Sequence, residues 1–161
     1  MNMPATIREA KTSDRAKIKE VIDLSFPRFF RYFATHSLNS EGKTLVAESQ
    51  NSIAGFAKLI TFQIADTKYS CVLWLATHPT FRRRGFAAAL VTTGIEKLKA
   101  EGAHAVFASV SRRNKASLAV FDKAGFGRMG FLGLWRLFGW RIFEFYRDIW
   151  FVPTEIALMH G

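Results

Sequence analysis

Between residues 68 and 100 an apolar run, KYSCVLWLAT, stops at His78-Pro79, crosses the basic turn TFRRRG and re-enters apolar sequence as FAAALVTTGIEKLKA. No other stretch limits the fold as much. The first run is rich in aromatic and β-branched residues, which suit a strand. Proline removes a ladder donor and holds the residue before it extended, so the strand ends there. In the second run Ala87, Leu90, Val91, Ile95 and Leu98 share one stripe, Lys97, Lys99 and Glu101 are polar, and Gly102 follows. That spacing predicts a helix over 84–101. A further strand, HAVFASVS, comes directly after it. Strand, crossover helix and strand in this order commit the chain to an α/β fold.

The rest of the chain fits around that unit. ATIREA reads as a short strand, and TSDRAKIKEVIDLSF as a helix with Thr12, Ser13 and Asp14 available as caps. PRFFRYFATHS predicts a second short helix. KTLVAES and SIAGFAKLITFQI are strands, with QNS and ADT as hairpin turns around the second. Beyond HAVFASVS, a short helix runs from about Lys115 to Ala124, with Asn114 as its cap and Gly125-Phe126 as its ending. No repeat, linker or composition break divides the 161 residues, so one domain over 1–161 is expected.

Charge narrows the partners. The net charge is +10, which recruits polyanions: nucleic acid, anionic lipid or a phosphorylated cofactor. The single cysteine, Cys71, lies in an apolar run and suggests a reducing, cytoplasmic compartment and no zinc cluster. The N-terminal MNMPATIREAKTSD has no apolar core of signal-peptide length, and no segment is apolar for the roughly 18 residues of a membrane span.

The basic turn is where the positive charge concentrates. The first amides of a helix lack intrahelical partners and carry the positive end of its dipole. Glycine lets the backbone approach a bulky anion, and Arg82, Arg83 and Arg84 surround Gly85 with charge. These are requirements for holding a phosphate or pyrophosphate. Neither GxxxxGK[ST] nor GxGxxG is present.

RRRGFA fits the [QR]-x-x-G-x-[GA] signature of the GNAT superfamily of N-acetyltransferases through Arg82, Gly85 and Ala87, with LWLATHP before it as that family's strand end. NKASLAVFDKAGF, Asn114 to Phe126, is similar to the family's N-x-x-A-x-x-x-Y-x-K-x-G-F. The resemblance covers about residues 5–130. It implies a mixed, mostly antiparallel sheet with splayed central strands flanked by helices. It implies acetyl-CoA as acetyl donor, no metal, and direct transfer to a primary amine in a ternary complex. Leu75 and Thr77 would offer backbone groups to the pantetheine arm, with the Thr77 amide near the thioester carbonyl. Amides from Arg83 to Leu90 would surround the diphosphate, with Arg82, Arg83, Arg84, Gly85, Phe86 and Ala87 as the cofactor-binding residues of the turn. Arg112, Arg113 and Lys115 are candidates for the remaining phosphate, or solvated surface charges. Asn114 would lie near the cofactor arm, and Phe121 near its sulfur.

The chain departs from the pattern at Phe121, where the family usually has a tyrosine that protonates the leaving thiolate. Either the thiolate leaves unassisted, or Tyr146, Tyr32 or Ser117 serves, or the protein binds acyl-CoA with little turnover. Many relatives place a basic glutamate on the strand before the turn. YSCVLWLAT has none, so Glu48 and His78 remain as candidates and no catalytic residue is assigned. The acceptor is a small-molecule amine or a peptide, and a homodimer is possible. A basic nucleic-acid-binding module is the rival class, disfavoured because the densest basic cluster coincides with the pyrophosphate signature.

Residues 131–153, FLGLWRLFGWRIFEFYRDIWFVP, lie outside the family pattern. Trp135, Phe138, Ile142, Phe145 and Ile149 recur at steps of three and four, opposite Arg136, Arg141, Glu144, Arg147 and Asp148. One amphipathic helix over about 134–149 is predicted despite Gly139, packed as core, at a dimer contact, along the acceptor cleft or on a membrane surface, the last disfavoured by an arc of three cations and two anions, with a final strand in TEIALMH.

Overall fold

The computed structural model describes residues 5–161. The strands are β1 (Thr6–Glu9), β2 (Lys43–Ser49), β3 (Ser52–Ile64), β4 (Thr67–Thr77), β5 (Val106–Ser111), β6 (Gly127–Met129) and β7 (Glu155–His160). The helices are α1 (Arg15–Ser25), α2 (Arg28–Ser37), α3 (Phe86–Ala100), α4 (Lys115–Lys123), α5 (Phe131–Phe138) and α6 (Ile142–Asp148). The strands form one seven-stranded sheet in the order β1-β2-β3-β4-β5-β7-β6. β4 and β5 are parallel, joined by the crossover through α3, while β1–β2, β2–β3, β5–β7 and β6–β7 are antiparallel. The β4–β5 ladder pairs Ser70, Cys71 and Val72 with Val106, Phe107 and Ala108.

Local chemistry sets the boundaries. Gln50 and Asn51 take positive φ, 52° and 60°, in the tight turn between β2 and β3. Asn114 caps α4 by accepting from the Ser117 amide at 3.1 Å, and the Phe126 amide closes the helix on the Phe121 carbonyl at 3.1 Å. The expected cap of α1 takes another form. Thr12–Asp14 make a 3-10 turn, and the Asp14 carboxylate accepts from the Lys11 amide at 2.7 Å. Arg8 joins Asp14 through two bonds of 2.7 and 3.0 Å and Glu48 through one of 2.7 Å, tying β1 and β2 to the start of α1. The Arg8 hydrogen bonds hold the Asp14 carboxyl at about 2.

The described residues pack as two compact units, one of residues 5–59 with 74–94 and the other of residues 60–73 with 95–161. The first buries Ile18, Val21, Ile22, Val46, Phe56 and Ala76 together, with Phe26 and Trp74 against them. The second is built on aromatic rings: Phe107 meets Phe145 at 4.7 Å between centroids, and Phe145 stacks on Phe138 at 4.8 Å. Leu134, Ile142 and Ile149 complete that cluster, so the segment after residue 130 is core. Burial among these rings and the charge of Glu155 push the Cys71 thiol well up, which leaves it inert.

The single long helix expected over 134–149 is not formed. Gly139, at φ 55° and ψ −133°, ends α5, and a 3-10 turn over Gly139–Arg141 leads into α6. The apolar stripe still reaches the core through both pieces, because the break re-aims Ile142 and Phe145 without losing their burial. The edge strand β6 went unpredicted. Its three residues pair with Met159, Leu158 and Ala157 of β7, a partner remote in sequence.

Candidate active site

The basic turn follows β4 directly. Gly55 on β3 permits a close approach here: a Cβ would lie 2.6 Å from the Ala76 carbonyl oxygen and 3.3 Å from the Thr77 Cα. The His78 amide then donates to the Ala54 carbonyl at 2.8 Å. Pro79–Phe81 form a 3-10 turn, and the backbone swings left-handed at Arg83 (φ 64°) and Gly85 (φ 84°) before α3 begins at Phe86. Beyond Gly85 and its two chain neighbours, no heavy atom among the described residues lies within 4 Å of a Cβ placed there. The Ala89 amide bonds the Gly85 carbonyl at 3.0 Å, so the amides ahead of it stand at the open end of the helix. Alternating left-handed and ordinary conformations turn successive amides toward one point, a concavity suited to anions.

The three arginines differ in role. Arg82 donates through Nε to the Thr77 carbonyl at 3.3 Å, and Arg84 lies over the Phe81 ring at 5.5 Å. Both brace the turn, and all three are exposed. Phe86 is buried with its ring edge-on to Phe81, so it anchors α3 while its amide belongs to the open end. Ser25 Oγ also donates to the Thr77 carbonyl, at 3.3 Å, which fixes that peptide plane from two sides. Leu75 on β4 and Ala87 on α3 are half-buried.

The second motif belongs to the other unit. Asn114 is exposed and engaged as a helix cap. Phe121 is 2% exposed, with its ring edge-on to Phe126 at 5.0 Å. Arg112, Arg113 and Lys115 are exposed around Asn114.

The candidate bases are already engaged. Glu48 is held by Arg8. His78 Nδ1 accepts from the Thr80 amide at 3.2 Å, so an uncharged ring carries its proton on Nε2, 3.8 Å from Glu20 Oε1. Of the candidate hydroxyls, Tyr146 packs against Phe145 and Phe151, where burial pushes its phenol up. Tyr32 is 69% exposed and stacks on His36. Ser117 lies half-buried in the first turn of α4.

Trp74 was not singled out from the sequence. Its ring meets Phe26 at 5.4 Å and Phe30 at 6.3 Å, and its Nε1 is buried without a hydrogen-bond partner. A buried donor left unpaired costs about 1–3 kcal/mol, so it calls for an account. The available signal was a tryptophan in an apolar strand segment, whose indole N–H needs a partner when buried.

The model of the acetyltransferase (GNAT) family matches residues 9–126, and the chain belongs to that family. Solved structures share the fold over nearly the whole chain. A Bacillus subtilis acetyltransferase in complex with CoA is 15% identical with a TM-score of 0.70, covering 97% of each chain. The PaiA N-acetyltransferase of Thermoplasma acidophilum in complex with coenzyme A is 14% identical with a TM-score of 0.68, covering 99% of each. The Escherichia coli ribosomal-protein alanine N-acetyltransferase is 19% identical with a TM-score of 0.65, covering 97% of this chain and 91% of that one. No curated protein sequence matches the chain.

Proposed function

We propose that this acetyltransferase moves the acetyl group of acetyl-CoA to a primary amine by direct attack while both substrates are held. The observation that carries the reading is the left-handed turn at Arg83 and Gly85 directly before the N-terminal end of α3, with open space where a Gly85 side chain would stand. A diphosphate suits that concavity, and Arg83 adds charge to it. When bound, acetyl-CoA supplies an acyl group already activated as a thioester.

The chain's own part is largely positioning. Leu75 and Thr77 offer backbone groups to the pantetheine arm. The Thr77 carbonyl is already taken by Ser25 and Arg82, and its amide is assigned to the thioester oxygen from the family pattern. Asn114 and Phe121 are assigned to the cofactor arm from the family pattern. The acceptor nitrogen bonds the carbonyl carbon as the C–S bond breaks, and its proton leaves through water. Phe121 has no hydroxyl to offer, so the thiolate is protonated by solvent, as suits a thiol of pKa about 8.5.

Phe26, Phe30 and Trp74 favour an acceptor with an apolar portion and a hydrogen-bond acceptor for the indole N–H. Arg28 is an exposed partner for a carboxylate on it, whereas Arg31 is drawn to the Phe26 carbonyl at 2.7 Å. The substrate of the Escherichia coli relative makes a peptide α-amine one arm of the test. Buried Cys71 supports a cytoplasmic setting.

Free CoA release from acetyl-CoA should be followed across amines, amino acids and peptides. Amine-dependent release that rises with the deprotonated fraction supports the reading. Acetyl-CoA binding without release on any acceptor identifies an acyl-CoA-binding protein, the alternative favoured by the missing hydroxyl at position 121. Retention on heparin but not on a CoA resin would instead identify a nucleic-acid-binding module.

A further inference from the structure

The α5–α6 segment is apolar on both sides, and only one side is core. Leu134, Phe138, Ile142, Phe145 and Ile149 are buried. Facing outward are Phe131 at 56%, Leu132 at 71%, Trp140 at 80% and Phe143 at 65% exposed, with Leu137 and Trp150 less so. Half-buried Trp135 links the ridge, stacked on Phe131 at 5.8 Å and edge-on to Trp140 at 5.0 Å. So many large apolar side chains exposed within twenty residues mark an interaction surface.

Charge selects the occupant. Between residues 127 and 150 there are four arginines against two carboxylates. Glu144 is met by Arg141 at 3.5 Å and Asp148 by Arg147 at 3.0 Å. Arg128 and Arg136 have no carboxylate partner among the described residues. A second copy on a two-fold axis would bring up the same excess of arginine, with its two carboxylates already paired. An anionic bilayer surface accepts both components: tryptophan and phenylalanine at the headgroup level, arginine on the phosphates. No helix among the described residues is long and apolar enough to cross a membrane, so the contact is peripheral. We propose that the outward face of α5–α6 docks the protein on anionic lipid, inserting Leu132, Trp140 and Phe143.

The test is sedimentation of the full chain with vesicles of phosphatidylcholine alone and of phosphatidylcholine mixed with phosphatidylglycerol. We expect binding to the mixed vesicles, weakened by salt, with a blue shift of tryptophan emission. Trp140→Glu combined with Phe143→Glu should weaken it roughly tenfold or more while melting and the acetyl-CoA response stay unchanged. Both sites are exposed enough to accept the change. Leu132→Glu, on the other helix, is an independent check, and Arg136→Glu should reduce the salt-sensitive part. Several results overturn the proposal: wild type left in the supernatant by both vesicles, equal binding to neutral and anionic vesicles, or unchanged binding by these variants. A dimer in solution that the double variant dissociates, without vesicle binding, would assign the face to a second copy. None of these readouts depends on acetyl transfer.

Discussion

Substituting Gly85 separates the cost of bending the backbone from the cost of blocking an anion. Gly85 has φ 84° and open space where a Cβ would stand, so Gly85→Ala meets no neighbour and carries only left-handed strain, about 1 kcal/mol. Gly102, after α3, has φ 94° and the same open surroundings, which makes Gly102→Ala the matched control. In a chain of this length each should lower the apo melting temperature by about 2–4 °C. Acetyl-CoA at about a hundred times its dissociation constant should add about 2.7 kcal/mol to wild type and to Gly102→Ala. That is an upward shift of about 5–10 °C. Gly85→Ala should gain less. Gly85→Glu should gain nothing, because its carboxylate occupies the amides meant for the diphosphate and repels it. Thermal melts with and without acetyl-CoA, followed by calorimetric titration, measure both quantities. A full ligand shift in Gly85→Glu would refute the argument and leave the arginine–glycine turn as a structural turn.

Other outcomes follow from particular residues. Phe145 is fully buried among Phe62, Phe107, Phe138 and Tyr146, so Phe145→Ala should cost about 3–5 kcal/mol in a denaturant titration; a loss under 1 kcal/mol would mean α6 is a peripheral attachment. The Asp14 carboxyl is lowered to about 2 by Arg8, so its contribution, about 2 kcal/mol, is complete above about pH 5 and lost as pH falls toward 2. Asp14→Asn should flatten that acid limb of stability against pH, and an unaltered limb would assign it elsewhere. Trp74→Phe removes an unpaired donor and should leave melting level or higher while raising the acceptor KM; an unchanged KM would separate the indole from the acceptor. If the missing acid limits chemistry, Phe121→Tyr should raise kcat, and a level or lower rate would show that water suffices.

Most elements were legible because their signals are local. Pro79 after an apolar run, the Gln50-Asn51 turn, the Asn114 cap and Gly125 each act within a few residues, so β2 to β5 and α1 to α4 follow from the sequence. The turn between β4 and α3 was legible for the same reason, since a strand end, a glycine and a helix start are contiguous. The break at Gly139 was not. An apolar stripe at helical spacing fits a straight helix as well as two short ones, and the choice depends on how each piece reaches Phe107 and Tyr69.

Side-chain partners were decided by the tertiary structure alone. Arginines crowded around a glycine suggest shared charge for an anion, yet Arg82 and Arg84 turn back to brace Thr77 and Phe81. Glu48 and His78 looked available as bases until Arg8 and Thr80 were brought beside them. The aromatics of α2 are not its buried side: Phe29 and Tyr32 are exposed, and the buried positions are held by Ala34 and Ser37. Periodicity records that one side of a helix is apolar, but not whether another element covers it. The sequence by itself determined the order of elements from β1 to α4, the family and the turn between β4 and α3, because short-range backbone chemistry specifies them. Which polar groups are paired, which aromatics are buried and which face of α5–α6 is left outward depend on contacts between residues far apart in the chain, and only folding brings those together.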